Sequence, residues 1–107
     1  IFASSFMTFP AMIIQMFDYV SDFGGNKDTA KQLRVEKIMP AISKGKKVVL
    51  DFADVNGVTQ SFVHALIAEA IREFPEEVFE LVEFRHCTRD VQVVVEIVAE
   101  YMQEGSD

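Results

Sequence analysis

The pattern of apolar and polar positions is organised around one stretch, Lys46–Phe74, which reads KKVVLDFADVNGVTQSFVHALIAEAIREF. Residues 48–52 form a short β-branched and aromatic run, which is typical of a central parallel strand. After a turn at residues 56–57, apolar residues recur at helical spacing in two adjoining rows. The pattern predicts a buried strand, a tight turn, and a helix that opens at residues 59–61 and ends before Pro75.

The segment before this stretch begins with a second candidate strand. Ala11–Val20 carries apolar residues on both alternating faces, as expected of a strand covered on both sides. Paired glycines and turn-forming polar residues in Ser21–Asp28 end it. Residues 1–10 are rich in aromatic side chains, and three interpretations of them stay open: a short first strand, an arm covered by a partner, or a segment foreign to the native fold.

A helix is expected between these two strands. It starts at about Thr29, with Asp28 as its N-cap, and carries an imperfect apolar stripe. Pro40 removes one backbone hydrogen bond and crowds the preceding turn, which predicts a kink or an early stop near Met39. Gly45 suits the left-handed backbone that often ends a helix.

The carboxyl-terminal part repeats the order of strand and helix. Val78–Phe84 alternates apolar and acidic residues in part and predicts a strand, followed by a connection in which Thr88 caps the last helix. Residues 91–102 carry apolar side chains at spacings of three and four, so helical periodicity outweighs the strand propensity of the valines. Three strand–helix units predict one α/β domain over residues 1–107, with helices packed on a mixed or largely parallel sheet.

Composition and charge restrict the classes of partner. With 107 residues, 50% of them hydrophobic and 25% charged, the chain has the balance of one soluble globular domain. No apolar run approaches the roughly 18 to 20 residues of a membrane-spanning helix, so no membrane insertion is expected. The net charge of −7 repels phosphate backbones, which favours a basic protein over nucleic acid as partner. The chain starts without Met, so we expect a fragment, a processed form or an ordered part of a longer protein.

Reactive side chains are few. Cys87 is the only cysteine, so no internal disulfide can form, and a reducing cytoplasm is the expected location. With only His64 and His86 beside it, no metal-ligand set is apparent and no cofactor is expected. We interpret Cys87 as a small buried hydrophobe rather than a reactive thiol.

Two carboxylates follow the central strand. Asp51 and Asp54 could form a metal or acid–base pair, because ligand sites in α/β folds gather at the carboxyl ends of strands. They lack a third ligand, a nucleophile–base pair or a phosphate loop nearby in the sequence. The preferred interpretation is that they accept hydrogen bonds from turn N–H groups, and no enzymatic activity is expected.

The sequence VVLDFADVNGVTQSF at residues 48–62 resembles the STAS superfamily, named for sulphate transporters and anti-sigma-factor antagonists. It looks most like bacterial STAS-like domains of unknown function. The upstream DTAKQLRVEKIMPAI and the downstream LVEFRHCTRDVQVVVEIVAEYM also fit that pattern, so the resemblance covers about residues 12–102. It implies a STAS-like sheet of about four strands with three helices packed against it.

The resemblance also implies a site at the start of the central helix. The bacterial antagonists carry Asp-Ser-Ser there, and the second Ser is phosphorylated by a partner kinase similar to histidine-kinase ATPases. In this chain Thr59 stands in place of the Asp, Gln60 replaces the first Ser, and Ser61 coincides with the phosphorylated Ser. Many relatives have acidic residues just after this Ser-Phe, where this chain has His64 and Ala65, which predicts a different partner surface.

Ser61 also has a physical argument of its own. Unpaired N–H groups and the helix dipole favour a phosphate in the first turn of a helix, while the nearby aspartates oppose it. The alternative is that Thr59 or Ser61 merely caps the helix, a role in which both residue types are favoured. His64 is interpreted as a rim residue near Ser61 that could tune a partner contact by titrating near neutral pH.

These observations predict a cytoplasmic bacterial regulator that binds a protein and does not catalyse. Its expected partner is a histidine-kinase-like ATPase or kinase, docked at the corner Thr59–His64. One alternative is a small-ligand or nucleotide-binding domain with a pocket near Asp51, Asn56 and Ser61. A second alternative is a homodimer joined through an open sheet edge or the amino-terminal segment. The candidate residues for binding a partner or ligand are Asp51, Asp54, Asn56, Thr59, Gln60, Ser61 and His64.

Overall fold

A computed structural model describes residues 11–103 of the chain. The interpretations offered for residues 1–10 concern a segment outside the described residues. In chain order the strands are β1 (Met12–Gln15), β2 (Phe23–Gly24), β3 (Val48–Asp51), β4 (Gly57–Val58) and β5 (Val82–Arg85). The α-helices are α1 (Phe17–Val20), α2 (Lys27–Leu33), α3 (Met39–Ser43), α4 (Gln60–Glu73), α5 (Glu77–Leu81) and α6 (Arg89–Gln103), and a π-helical segment (Arg34–Ile38) joins α2 to α3.

The main sheet has three parallel strands in the order β1-β3-β5, with the predicted central strand in the middle. Val48 lies between Met12 and Val82 in the register, and these pairings place their side chains on the face that joins the core. Every residue of β3 is buried, and the strand has a hydrogen-bonded neighbour on both edges. The expected α/β class with a parallel sheet is confirmed.

The layer of helices is centred on α4, which packs against both α2 and α6. Its buried residues recur at the predicted helical spacing and join the side chains of the main sheet in one core: Phe62, Val63, Leu66, Ile67, Ala68, Ala70 and Ile71. The amphipathic pattern read from residues 60–74 therefore defines the central helix of the domain.

A second, very short parallel sheet fixes the start of α4. In it β2 pairs with β4, the N–H of Thr59 donates to the carbonyl of Gly24 at 2.9 Å, and the N–H of Asn56 donates to Asp22 at 2.7 Å. Gly24 permits this close approach, since a Cβ there would lie 3.1 Å from Val58 Cγ1 and 3.2 Å from Phe62 Cε2. Part of the segment Ser21–Asp28, which was predicted as a turn, therefore forms β2 and pairs with β4, the strand just before α4.

The first predicted strand is shorter than expected. Its pairing ends where the N–H of Met16 donates to the carbonyl of Asp51, and the next residues turn back as α1, with the N–H of Val20 donating to Met16. Phe17 and Tyr19, which made the pattern look like a doubly covered strand, are exposed. The prediction of a strand to Val20 was wrong because apolar residues were assumed to be buried.

Of the two alternatives predicted near Met39, a kink or an early stop, the early stop does not occur, and the helix is instead locally distorted before Pro40. The helical path continues from α2 through the π-helical segment into α3, and the N–H of Met39 donates to the carbonyl of Arg34. The departure from α geometry falls in the turn just before Pro40, where a missing N–H and a bulky ring disturb the hydrogen-bond ladder. Asn26, rather than Asp28, is the N-cap, since its side chain accepts from Asp28 N–H at 2.8 Å and Thr29 N–H at 3.3 Å.

The predicted strand Val78–Phe84 divides into two elements. Residues up to Leu81 form α5, and only Val82 onward pairs with β3. Val78 and Val82 are both buried, and a spacing of four fits a helical turn as well as an alternating strand. Periodicity over so few residues does not separate the two structures.

Two other predicted helix ends, at Thr88 and Gly45, agree with the structure. Thr88 Oγ1 accepts from Val91 N–H at 3.2 Å at the start of α6. Gly45 has φ +72° after α3, and the bonds from Gly45 N–H to Ile42 and from Lys46 N–H to Ala41 complete a Schellman ending.

Gly45→Ala should lower the free energy of unfolding by about 1 kcal/mol, because an L side chain strains a left-handed backbone. A Cβ at this position would meet nothing within 4 Å, so the loss would come from the backbone alone. Gly45→Asn is the matched control and should lose less, since Asn tolerates this region better. Urea denaturation of the three proteins checks this, and equal losses for Ala and Asn would contradict it.

Candidate functional site

A cleft of about 480 Å³ lies between the start of α4 and the middle of α6. Its walls combine polar residues of α4 with mainly apolar residues of α6: Gln60, Ser61, His64, Ile97, Val98 and Tyr101. We call it the α4–α6 cleft. Three of the residues predicted for a partner site therefore line a concave surface.

The cap of α4 leaves Ser61 exposed in this cleft. Thr59 has an extended backbone, and its Oγ1 accepts from Phe62 N–H at 3.0 Å, so Thr59 is the N-cap. The Ser61 hydroxyl lies 3.3 Å from Thr59 Oγ1 on the solvent side of the first turn. Thr59 and Ser61 were both candidates for the N-cap of α4, and Thr59 has this role.

The opposite wall of the cleft presents unusually exposed apolar side chains. Ile97 is 45% exposed and Tyr101, one helical turn later, is 54% exposed. Val98 lies beneath them and is buried. The cleft thus lies between the polar start of α4 and an exposed apolar surface of α6 whose contact with water is unfavourable.

A second group of polar residues gathers at the carboxyl end of the main sheet. Asp51 ends β3 and its side chain is 10% exposed, whereas the side chain of His86, just after β5, is 62% exposed. His86 Nδ1 lies 2.9 Å from Asp51 Oδ1, and the N–H of Ala53 donates to the same oxygen at 3.0 Å. We call these two side chains the Asp51–His86 pair.

The electrostatics of the pair favour an ionised Asp51. Burial raises the pKa of the carboxyl, but the hydrogen bond with His86, the one from Ala53 N–H and the charges of His86 and Arg85 outweigh it. The net result is a pKa below the ordinary value of 3.8. At neutral pH Asp51 is therefore a fixed anion that only accepts hydrogen bonds.

Cys87 follows His86 but has a different environment. Its side chain packs against the core, and burial raises the pKa of the thiol to about 11. The thiol is protonated at neutral pH and is a weak nucleophile in that form. This agrees with the interpretation of Cys87 as a small hydrophobe.

The structure separates the predicted site residues into two groups. Gln60, Ser61 and His64 line the α4–α6 cleft, whereas Thr59, the N-cap of α4, and Asp51 are not among its lining residues. Asp54, with φ +69°, and Asn56 lie in the turn between the two sheets.

The backbone of Asn56 ties this turn to the last helix. Its carbonyl accepts from Thr88 Oγ1 at 3.2 Å, while the same Thr88 hydroxyl caps α6. Of the three residues expected around a nucleotide pocket, Asp51, Asn56 and Ser61, only Ser61 lines the α4–α6 cleft.

Sequence reasoning missed His86 and the apolar wall of the cleft. The helical periodicity of residues 91–102 did not distinguish the exposed Ile97 and Tyr101 from the side chains of α6 that join the core. No sequence signal connects His86 with Asp51, which lies 35 residues earlier. Their pairing depends on β3 and β5 being neighbours in the main sheet.

Two further findings concern residues 11–103. None of the helices in that range combines the length and apolar character needed to cross a membrane. Within the same range, no three His, Cys, Asp or Glu side chains are grouped so that they could hold a metal ion.

Comparison with known families agrees with the parallel α/β fold. Residues 29–92 match the family described as STAS-like domain of unknown function (DUF4325), which covers more than half of the chain. The chain belongs to this family, and the resemblance stated from its sequence is confirmed. Searches of curated proteins and of solved structures gave no match.

The pKa of Asp51 predicts how stability depends on pH. Since the folded-state pKa lies below 3.8, ionised Asp51 stabilises the fold above that pH, and this contribution is lost as the pH falls through the lower folded value. Asp51→Asn does not titrate, so its free energy of unfolding should fall less between neutral and acidic pH than that of the wild type.

Urea denaturation at a series of pH values measures this difference. Glu100→Gln, on the exposed side of α6, is the control and should keep the wild-type dependence on pH. Parallel curves for Asp51→Asn and the wild type would show that Asp51 is not a stabilising anion.

Proposed function

We propose that this STAS-like domain acts by binding a protein partner rather than by catalysis, and that the partner docks in the α4–α6 cleft. The observation that carries the proposal is the composition of the cleft, in which exposed Ser61 faces a wall with Ile97 and Tyr101. The resemblance of Ser61 to the switch serine of anti-sigma-factor antagonists supports the same location.

The apolar wall supplies the driving force. Burying half-exposed Ile97 and Tyr101 against a partner removes apolar surface from water, which is the main favourable term in protein association. Tyrosine is enriched among the residues that contribute most to binding, because its large rigid ring carries a polar end. Tyr101 and Ile97 are therefore the proposed anchors.

The negative charge of the domain favours a partner with basic residues. The net charge is −7, and Glu96 and Glu100 are exposed on the helix that forms the apolar wall. A partner with basic residues around an apolar centre would be steered to this surface and matched at its rim. We propose a histidine-kinase-like ATPase or kinase of the bacterial cytoplasm, in line with the family resemblance.

Phosphorylation of Ser61 is the proposed switch. Ser61 lies in the first turn of α4, which contains no acidic residue, so the N–H groups and dipole of the helix start favour an added phosphate. In the occupied cleft, however, the phosphate would face the apolar wall and would have to lose water. The modification should therefore weaken partner binding while leaving the fold intact.

Replacing the apolar anchor should weaken the complex. Ile97→Ser removes part of the apolar wall and should raise the dissociation constant about tenfold, the usual effect of losing an important interface side chain. Val35→Ser is the matched control, since Val35 is 54% exposed on the π-helical segment and does not line the cleft.

The partner is first recovered from a native lysate with the full chain, identified by mass spectrometry and purified, and its binding is measured by calorimetry. Equal binding by Ile97→Ser and the wild type would exclude the cleft. Recovery of a second copy of the chain alone would replace the proposed partner with a homodimer.

A negative charge at Ser61 should reproduce the switch. Ser61→Asp should weaken binding of the purified partner by about tenfold or more, since charge in an apolar interface is costly to desolvate. Ser43→Asp places the same substitution at an exposed position of α3 and should bind like the wild type. Phosphopeptide mapping of the native protein completes the test. Unmodified Ser61 together with unchanged binding by Ser61→Asp would contradict the switch.

A further inference from the structure

The Asp51–His86 pair has an arrangement that the proposed binding function does not use. The carboxylate is almost buried at the end of β3 and is held by Ala53 N–H as well as by His86. The imidazole extends outward, with 62% of its side chain exposed. A fixed anion therefore orients one edge of a ring whose remaining surface is open to solvent.

This contact selects the tautomer of His86. Since Asp51 is an acceptor only, the 2.9 Å contact requires the proton to be on His86 Nδ1. In the neutral ring the lone pair then lies on Nε2, the nitrogen that does not contact Asp51. A carboxylate that fixes a histidine in this way also stabilises positive charge that develops on the ring.

The backbone places the ring over the end of the main sheet. Arg85 pairs with Asp51 in the register of β3 and β5, and His86 follows it with φ +59°. A left-handed backbone is uncommon for a non-glycine residue, although histidine is among the types enriched there. The chain bends at His86, and its side chain contacts Asp51 at the end of the neighbouring strand.

We propose that the Asp51–His86 pair is a phosphoryl-acceptor site, in which His86 Nε2 takes a phosphoryl group from a donor of the phosphoramidate class. The Nε2 lone pair forms the new N–P bond as the P–N bond of the donor breaks. The donor nitrogen, already fully protonated, leaves as ammonia with the electron pair of that bond. The ring keeps its Nδ1 proton and becomes cationic, and Asp51 compensates the new charge.

Other chemistries fit the pair less well. Metal binding would need further ligands, and residues 11–103 contain no group of three His, Cys, Asp or Glu side chains that could hold an ion. The neighbouring Cys87 is half-buried and protonated, so it does not compete as a nucleophile. Phosphoryl transfer needs only one exposed ring nitrogen and a partner that stabilises the charged product.

The chain contains an internal comparison for this proposal. His64, its other histidine, is also exposed, but among the described residues it has no hydrogen-bond or ion-pair partner. One difference between the two rings is therefore the contact with Asp51, which His86 makes and His64 does not. His86 does not line the α4–α6 cleft, so this site goes beyond the proposed function and either can fail without the other.

The test is reaction of the full chain with potassium phosphoramidate, with the phosphorylated histidine located by peptide mapping at alkaline pH. His86 should react about tenfold faster than His64, the effect of one charge-assisted hydrogen bond on the charged product. Asp51→Asn should reduce the rate at His86 to that at His64, without changing the rate at His64. His86→Gln should leave only the slow reaction.

Two results would overturn the proposal. One is equal rates at His86 and His64 in the wild type, and the other is an unchanged rate at His86 in folded Asp51→Asn. Long-range proton–nitrogen spectra of the wild type test the tautomer without any substitution. They should show His86 protonated at Nδ1, and protonation at Nε2 alone would refute the premise.

Discussion

The structure depends on the double pairing of β3. This strand is buried along its whole length, and its backbone groups are satisfied only because β1 and β5 lie on its two edges. At its end, the carbonyl of Asp51 accepts from Met16 N–H, and the N–H of Phe52 donates to Arg85. The carboxyl ends of β1, β3 and β5 therefore lie at the same edge of the main sheet. Polar side chains from distant parts of the chain can come into contact there.

The start of α4 is the second consequence of that arrangement. The chain leaving β3 pairs briefly with β2, so Thr59 is held both by its N–H to Gly24 and by its capping hydroxyl. These two bonds fix the first turn of the helix and leave Ser61 exposed beside α6. A surface serine on a rigid helix start is well placed to transmit a change in charge to a bound partner.

Two polar surfaces of different character therefore lie on one small acidic domain. The α4–α6 cleft combines a hydroxyl with an apolar wall, which suits a partner protein. The Asp51–His86 pair combines a buried anion with an exposed ring, which suits covalent chemistry at nitrogen. They consist of different residues, so the proposed partner-binding site and the proposed phosphoryl-acceptor site are separate.

The sequence alone determined the elements whose signals are local and long: the buried run of β3, the wide apolar face of α4, and the spacing of α6 with its Thr88 cap. Family resemblance added the STAS-like class, which the match over residues 29–92 confirms. Short segments were ambiguous, because the residues that form α1 and α5 fit the periodicity of a strand as well as that of a helix.

Only the tertiary structure decided which distant side chains meet. Asp51 reaches His86 because β3 and β5 are neighbours, and Ile97 and Tyr101 face Ser61 because α6 packs on α4. Periodicity records which face of an element is buried, but it does not record the register between elements or the identity of the neighbour. The α4 side of the candidate site was therefore predicted from the sequence, whereas the apolar wall on α6 and the contact of Asp51 with His86 were found only in the structure.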